Sequence, residues 1–588
     1  MCGFFGFFTT NKNFKVDKKI YKNISLKYRG PDEHTVFENN NFYCEFFRLS
    51  ILGGLNASQP MKSYDKKYLI LLNGEIYNYK ELNKDYLNLK DTNLGDTRVL
   101  VELFSKFGIK ATEKLNGMFS IILYDQKKQK IYLIRDRFGT KPLYYLIKNN
   151  VLYFSSEIKG IPLKKNINND IVTNYLDNGH YPNYKTFFKN IFNLKPSTIL
   201  KFDKNEFKKI KYYDLRNHVR NHVINQKNSL EKFYELLNLS IKIRQRSNRK
   251  INFNLSGGID STSLLFQTSL LWSKKYQLMS STYNYQKFNG GEYIDAKRFS
   301  DKLSIKNFKV NIYPKEIPDL SSKLQFFQDE PYGGLASVAE FKQNIELKKL
   351  GNIVSFEGVG GDEILGGYNS HLYLLIRYLH YNKKNKLLYK NLIKFSGKKI
   401  DQILKISKRF IQSNFYGNTD LSDIRFKNLK KRGIKENINY YEIIKFREIE
   451  NGALYRTLRF RDRSSSACGR ELRFPLLDHN LVSHSLAMPY EIKFRHGFTK
   501  YPLRNLLNQA DNKLSLKKKN STNSAQTDWL KKDLKSWAYD NIHSLNNKNV
   551  IDKKYFLNLD KQFSLKIKNS FYLWQLINLN LFYENLKK

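Results

Sequence analysis

Residues 251–265 read INFNLSGGIDSTSLL. A β-rich apolar run enters Ser-Gly-Gly, passes Asp-Ser-Thr-Ser and continues with apolar residues at helical spacing. The order is strand, glycine loop, helix start. Glycines let the backbone approach an anion, and a helix N-terminus offers unpaired N–H groups and the positive end of a dipole. A lone Gly-Gly is an ordinary strand-to-helix turn. The complete Ser-Gly-Gly-x-Asp-Ser is far more restrictive, and it is not a Walker A loop, because no Gly-Lys-Ser/Thr follows. A second strand-to-glycine turn, NIVSFEGVGGDEILGGY at 352–368, carries Asp362 and Glu363. Carboxylates beside a phosphate loop suit Mg2+, which takes one or two of them together with phosphate oxygens.

At 588 residues the chain exceeds one ordinary core, so two or more domains are expected. No apolar run is long enough to span a membrane. Cys2, Cys44 and Cys468 are too few for a disulfide framework and lack zinc-like spacing. With no export signal, a reducing cytoplasm is the expected compartment. The net charge of +48 raises the alternative of a nucleic-acid binder. Lys is spread along the whole length with Asn, Ile and Tyr, as in a compositionally biased chain. No zinc finger, RNP-type motif or isolated basic arm accompanies it. The charge is read as an attractor of anionic substrates, with no specific nucleic acid and no membrane as partner.

The first 215 residues read as strands between polar turns: KYLILLNGEIYNY, SIILYD, KIYLIRD and VLYFSSEI predict packed antiparallel sheets. One helix fits DTRVLVELFSKFG, closed by Gly108. The chain opens MCGFFGFF, a poor signal peptide without a basic stretch or a small-residue cleavage site. The plainer reading buries Cys2 on an N-terminal strand. The sharper one removes Met1, leaving Cys2 with a thiol and a free α-amine of pKa about 8 that can serve as its base. Polar residues also interrupt apolar segments. Singly, Arg48 could snorkel, Asn73-Gly74 could be a hairpin turn and Asp96 an N-cap. Together they can hold an amino acid, with Arg48 on its carboxylate, Asp96 and Glu75 on its ammonium, and Asn73 with the Gly74 N–H as an oxyanion hole.

This combination resembles the class II glutamine amidotransferases, the N-terminal-nucleophile glutaminases. The resemblance rests on Cys2-Gly3, YRGPDE at 28–33, RLSI at 48–51, NGEIYN at 73–78, Asp96, NGMFS at 116–120, RDRFGTKPLYY at 135–145 and FSSEIK at 154–159. It implies Cys2 as nucleophile with its α-amine as base, Asn73 and Gly74 at the oxyanion, and Arg48, Asn73, Glu75 and Asp96 around glutamine. Members often carry His-Glu where this chain has Phe46-Phe47.

The Ser-Gly-Gly-x-Asp-Ser loop resembles the pyrophosphate loop of ATP pyrophosphatases. With residues 352–368, DEP at 329–331, RDRSSSACGRELRFPLLDHNLV at 461–482 and HGFTKYPLR at 496–504, it resembles the synthetase domain of glutamine-hydrolysing asparagine synthetases. The fold implied is two-domain α+β. A layered β-sheet glutaminase (1–215) precedes a doubly wound α/β ATP pyrophosphatase domain (216–588). The resemblance implies that Ser256, Gly257, Gly258, Asp260 and Ser261 cradle pyrophosphate and that Asp260 and Asp362 hold Mg2+. It places the Leu255 backbone and Glu357-Gly358 against adenosine, with Tyr283 beside them, and Lys500 on the departing pyrophosphate. On local grounds alone Lys500 and Arg504 read as a solvated helical face.

The enzyme so implied hydrolyses glutamine, adenylates a carboxylate with ATP and passes ammonia through an internal tunnel to the acyl-adenylate. Aspartate is the expected acceptor. Two departures bear on it. Asparagine-forming members read Ser-Gly-Glu-Gly where this chain has Glu357-Gly358-Val359-Gly360, and they carry methionine at Ser466. Glu357, two residues from Val359, is read as supplying the missing acid. The alternative is the same chemistry on another carboxylate, such as a sugar acid of a surface polysaccharide. The opposing class, a non-enzymatic basic binding protein, leaves Cys2, Arg48, Asn73 and Asp96 unexplained. A homodimer is left open. Residues 369–450 and the last fifty look helical, and LKKKNSTNSAQTDW (516–529) reads as a mobile loop.

Overall fold

A computed structural model describes the chain apart from residues 12–17, 23, 91–93, 182–183, 223–226, 273–277, 289–291, 413–437, 519–523, 557–569 and 588. Its first part is built on the strands β1 (Gly3–Thr9), β2 (Glu33–Glu38), β3 (Phe42–Arg48), β4 (Met61–Lys62), β5 (Tyr68–Ile76), β6 (Gly117–Asp125), β7 (Lys130–Arg135), β8 (Tyr144–Lys148), β9 (Val151–Ser155), β10 (Phe192–Asn193), β11 (Thr198–Phe202) and β12 (Phe207–Lys211). They form two six-stranded sheets in the orders β10-β8-β9-β1-β3-β2 and β12-β11-β7-β6-β5-β4. Every pairing in both is antiparallel.

Strand alternation dictates how the sheets stack. Phe4 and Phe8 of β1 meet Leu69 and Leu71 of β5 between the sheets, with Ile122, Tyr124 and Leu133. The intervening Ile70 and Leu72 point the other way, onto Val99, Leu100, Leu103 and Phe104 of the helix Asp96–Phe107. That helix ends at Gly108, as expected, with a φ of 57°. The same parity sends Cys2, Asn73 and Glu75 to the inter-sheet side, at the end where the apolar filling stops.

The second part carries a five-stranded sheet of β13 (Ile251–Asn254), β14 (Met279–Tyr285), β15 (Lys306–Ile312), β16 (Val354–Phe356) and β17 (Glu471–Arg473), in the order β15-β14-β13-β16-β17. All its pairings are parallel. The chain winds outward from β13 through β14 to β15, then returns to the other flank at β16. The switch point therefore lies between β13 and β16, where such sheets bind ligands beyond the strand ends. The expected two-domain α+β fold, a layered β-sheet domain and then a doubly wound α/β domain, is what the structure contains. Among the described residues no helix is long and apolar enough to cross a membrane.

The two parts share their cores. Leu49, Ile51 and Phe138 pack with Leu255, Phe474 and Leu477. The C-terminal helix Ser570–Asn585 lays Phe582 against Phe187 and Phe188, at centroid distances of 5.1 and 5.7 Å. The expectation of helices in 369–450 holds for Asn369–Tyr381, Lys386–Ser396, Ile400–Ile411 and Tyr440–Glu450, while 413–437 lies outside the described residues. The expected mobile loop at 516–529 needs correction. Its centre, 519–523, is not described, but its end begins the helix Gln526–Lys531, whose Trp529 is buried in the shared core. A tryptophan among polar neighbours marks an anchor there.

A buried ion seam crosses this interface. Arg463, fully buried, pairs with Glu157 at 2.8 Å and with Asp329 at 3.0 Å. Lys159 bridges the same two carboxylates at 2.7 and 2.9 Å. Burial pushes the Glu157 carboxyl up, but Arg463, Lys159 and Arg29 outweigh it and hold the group below the usual carboxylate range. Replacing Arg463 by Met would leave two buried carboxylates short of a cation, a loss of about 3–5 kcal/mol. The expected result for Arg463→Met is a clearly lower urea midpoint at pH 7 by tryptophan fluorescence, which reports on Trp529 and Trp574 of the shared core. An unchanged midpoint would sink this account of the seam.

Candidate functional site

The first site is assembled by register. Gly3 pairs with Phe47, which sets Cys2 level with Arg48 at the end of β3. Cys2 is 8 % exposed, with Sγ 4.0 Å from the Leu49 carbonyl. Burial pushes its thiol up, against the pull of the N-terminal amine and Arg48. Burial also lowers the Met1 α-amine to about 5. That amine belongs to Met1, which stands between the chain end and the Cys2 nitrogen in this structure.

Arg48 does not snorkel: it is buried, donates to Glu33 at 3.1 Å and to the Leu52 carbonyl at 3.3 Å, and also reaches the Gly54 carbonyl. The hairpin alternative for Asn73-Gly74 is overturned. Both lie inside β5, paired with Ser120 and Phe119. Gly74 has a φ of +145°, and a Cβ there would sit 1.9 Å from the Met118 carbonyl oxygen, so no other residue fits. Asn73 is fully buried, and its Oδ1 has no hydrogen-bond partner among the described residues. Asp96 is not the N-cap, a place taken by Gly95. It opens the helix and accepts the Ile76 N–H at 3.0 Å, which ties the helix to β5. Burial raises its carboxyl to about 6. Glu75 is raised well above its ordinary value by burial and then by Glu471.

Several charged groups here were quoted in motifs but given no part. Glu471 and Arg473 come from β17 of the parallel sheet. Arg473 holds Glu471 at 2.8 Å and lies 3.5 Å from Glu75. Lys141, almost fully buried, is held below its ordinary value by burial, which Glu471 and Asp462 only partly oppose. The sequence signal was the one that exposed Arg48: a charge set in an apolar strand, here GRELRFPLL.

The second site is a cavity of about 480 Å³ beyond β13 and β16. Leu255, Ser256, Asp260, Ser261, Tyr283, Glu357, Gly358 and Asp362 all line it. Gly257 and Gly258 shape the loop instead. Gly257 turns at a φ of +67°, and Gly258 caps the helix Ile259–Leu271 with its N–H 3.3 Å from Ser256 Oγ. The Leu255 N–H and carbonyl are engaged within the protein, to Ser281 O at 2.9 Å and Thr282 Oγ1 at 2.7 Å. The second glycine turn is glycine-rich because the loops touch. A Cβ on Gly358 would lie 2.7 Å from the Ser261 nitrogen, and one on Gly361 2.6 Å from the Asp260 carboxyl.

Lys500 and Arg504 do not form a solvated face, for both are buried. Lys500 Nζ contacts Asp260 and Asp362 at 2.6 Å each. Burial opposes its charge, and the two carboxylates more than offset that. Arg504 braces the chain, donating to the Thr499 and Lys517 carbonyls at 2.7 and 2.8 Å. The two carboxylates expected to hold Mg2+ do come together, with the Lys500 ammonium between them. They come from the first turns of different helices and converge beside a glycine loop, a partial oxygen set of the kind that Mg2+ completes with phosphate and water.

The rest of the wall is acidic. Glu357 Oε1 accepts from Asn254 at 2.5 Å and Arg461 at 3.3 Å, and Arg461 also pairs with Glu340 at 2.9 Å. Burial raises Glu292, Glu340 and Glu363 each to about 7. These carboxyls are partly protonated at neutral pH, which reduces the negative charge an anionic ligand meets. Val359 lines the cavity, backed by apolar core.

Residues 1–213 match the glutamine amidotransferase domain family, and residues 232–584 match the asparagine synthase family. Among curated proteins, the chain is similar to a putative asparagine synthetase [glutamine-hydrolyzing] 2 of Methanocaldococcus jannaschii, 31% identical over 63% of this chain and 76% of that one. Asparagine synthetase [glutamine-hydrolyzing] 1 of Bacillus subtilis is 26% identical over 98% of this chain and 95% of its own length. The Homo sapiens asparagine synthetase [glutamine-hydrolyzing] is 28% identical over 63% of this chain and 67% of its own.

The Lys500 contacts generate a test independent of activity. In Lys500→Met, Asp260 and Asp362 lose their shared ammonium and face each other. Added MgCl2 is then expected to raise the thermal midpoint by more than it does in the unaltered protein, because a cation that binds only the folded state stabilises it. Equal shifts in the two proteins would count against a cation site there.

Proposed function

The chain belongs to the asparagine synthase family, and from that premise we propose that it moves the amide nitrogen of glutamine onto aspartate, forming asparagine, AMP and pyrophosphate from ATP. We assign residues 1–215 to glutamine hydrolysis and 216–588 to synthesis, and take the cytoplasm as its compartment.

Once Met1 is removed, the Cys2 amine takes the thiol proton and the thiolate attacks the glutamine carboxamide. Asn73 Nδ2 and the Gly74 N–H receive the oxyanion. The amine returns the proton to the departing ammonia, and water releases glutamate from the thioester. Arg48 engages the substrate carboxylate. Glu75 and Asp96, whose burial favours their neutral forms, gain a partner in its ammonium, so that binding draws them toward ionisation. In the second domain Ser256, Gly257, Gly258 and Ser261 hold the phosphates, with Leu255, Glu357, Gly358 and Tyr283 around the nucleoside. Asp260 and Asp362 would hold Mg2+, which when bound neutralises phosphate charge. Lys500 faces the pyrophosphate as it leaves. The acceptor carboxylate attacks the α-phosphate, and ammonia then displaces AMP.

One observation carries the coupling of the two chemistries. Arg473 touches both sites: its guanidinium lies 3.5 Å from Glu75, while its carbonyl accepts the N–H of Glu357 at 3.1 Å. A single strand, β17, thus stands between the two sites, which supports transfer of ammonia inside the protein rather than through water, where it would be mostly ammonium.

The test is a separation of activities. Cys2→Ala is expected to lose glutamine-dependent product while keeping synthesis from ammonium at raised pH. Loss of both in a folded variant would refute the division, and an intact mass that retains Met1 would refute the amine as base.

The acceptor is decided at the cavity wall. We place the acid for aspartate activation on Glu357, already in the cavity, rather than on the apolar Val359. Glu357→Gln should lower aspartate-dependent pyrophosphate release by about a hundredfold, the scale of losing a positioned acid or base. Turnover of aspartate by Val359→Glu alone, with none by the unaltered enzyme, would instead mean that a different carboxylate, such as a sugar acid, is the natural acceptor.

A further inference from the structure

With Met1 gone, Cys2 is tethered to the chain only through its carbonyl. Rotation about the bond between its Cα and that carbonyl swings thiol and amine together. Among the described residues one side chain grips the carbonyl: Arg29 Nε donates to it at 3.0 Å. Arg29 is fully buried, and Gly3 leaves room for it, since a Cβ there would meet its side chain at 3.0 Å. What orients Arg29 lies largely outside the glutaminase domain. Nη1 donates to Glu157 at 2.7 Å and to Ser466 Oγ at 2.8 Å, and Nη2 donates to Asp462 at 3.1 Å. Ser466 and Asp462 belong to the helix Ala453–Ser466 of the synthetase domain, which also presents Thr457 and Arg461 to the ATP cavity.

Ser466 is fully buried, and its hydroxyl proton is spent on the Asp462 carbonyl at 2.6 Å. Its oxygen is therefore turned as an acceptor toward Arg29. A hydroxyl that only backed onto its own helix would need no second partner. The carboxylates balance the guanidinium charge, and the neutral Ser466 oxygen joins them in fixing how the fork is rotated, and through Nε the direction of the Cys2 carbonyl. We propose that Ser466 is a positioning residue for the glutaminase nucleophile, contributed by the synthetase domain and acting through Arg29. The proposal rests on the reading of Cys2 as that nucleophile.

Ser466→Ala leaves one buried Arg29 N–H without an acceptor while charge and packing are largely kept. The misplacement should appear in the chemical step and not in substrate capture, which Arg48, Glu75 and Asp96 perform. The experiment measures glutamine hydrolysis and ammonia-dependent pyrophosphate release with MgATP and aspartate, on the full chain with Met1 removed. Variants are Ser466→Ala, Ser466→Thr, Arg29→Lys and the Ser466→Ala/Arg29→Lys pair. Expected for Ser466→Ala is a kcat for glutamine hydrolysis lower by about tenfold, with KM and ammonia-dependent synthesis changed by less than about twofold. Ser466→Thr, which keeps the hydroxyl, should recover most of the loss. In the Arg29→Lys background Ser466→Ala should add almost nothing, because the fork it orients is gone. The proposal is overturned if Ser466→Ala hydrolyses glutamine at the unaltered rate, if both activities fall in parallel, or if the two substitutions add in full. Absence of glutamine hydrolysis in the unaltered enzyme would overturn the reading of Cys2 and this inference with it, a result distinct from failure of Ser466 alone.

Discussion

The pairing of Arg463 with Glu157 and Asp329 is the contact on which the relation of the two domains depends. Taking a guanidinium and two carboxylates out of water costs several kcal/mol per ion, and their attraction offsets that only when the partners meet in good geometry. Apolar surfaces alone slide with little penalty, and this interface has many of them. A buried charge cannot slide without losing its partner. Glu157 follows β9 of one domain, while Asp329 and Arg463 belong to the other, so the seam locks one register of docking. Glu330, held by Arg459 at 2.5 Å, extends it by accepting the Phe187 N–H of the first domain at 2.8 Å.

That register has chemical consequences at a distance. It brings β17 against the open end of the β-sheet sandwich, so that Arg473 and Glu471 face Glu75 and Lys141. The first site is consequently walled by residues from both domains. Its carboxyls are raised, Asp96 to about 6 and Glu75 well above its ordinary value, because burial disfavours their charge and Glu471 lies nearby. The second site works from the opposite balance, since Lys500 already compensates Asp260 and Asp362, while Glu292, Glu340 and Glu363 are left near neutrality by burial.

Backbone proximity explains the glycines in both places. Gly74 is pressed against β6, and Gly358 and Gly361 against the loop that follows β13. In each case a side chain would collide with a neighbouring segment, and the residue between the strand and the solvent is left free to face a ligand. Asn73 and Glu75 project from one such strand, and Glu357 and Asp362 flank the other turn.

Much of this was legible in the letters. Period-two alternation in KYLILLNGEIYNY and the strand-loop-helix order of INFNLSGGIDSTSLL pointed to both sheet types, because these are local properties of φ, ψ and side-chain parity, and the candidate residues named with them converge in two places in the structure. The purely local alternatives, and the mobile loop expected at 516–529, failed where a local rule competed with a distant partner. Asn73-Gly74 looked like a turn until β6 paired across it. Lys500 looked solvated until two loops closed over it. The helix at Gln526 hid in a polar run because Trp529 finds its core in another part of the chain. Sequence alone therefore determined the elements and the chemistry each can present. Only the tertiary structure decided that Arg29, Ser466, Glu471 and Arg473 meet Cys2 and Glu75, because a buried charge declares its partner through geometry in three dimensions and leaves no periodic trace along the chain.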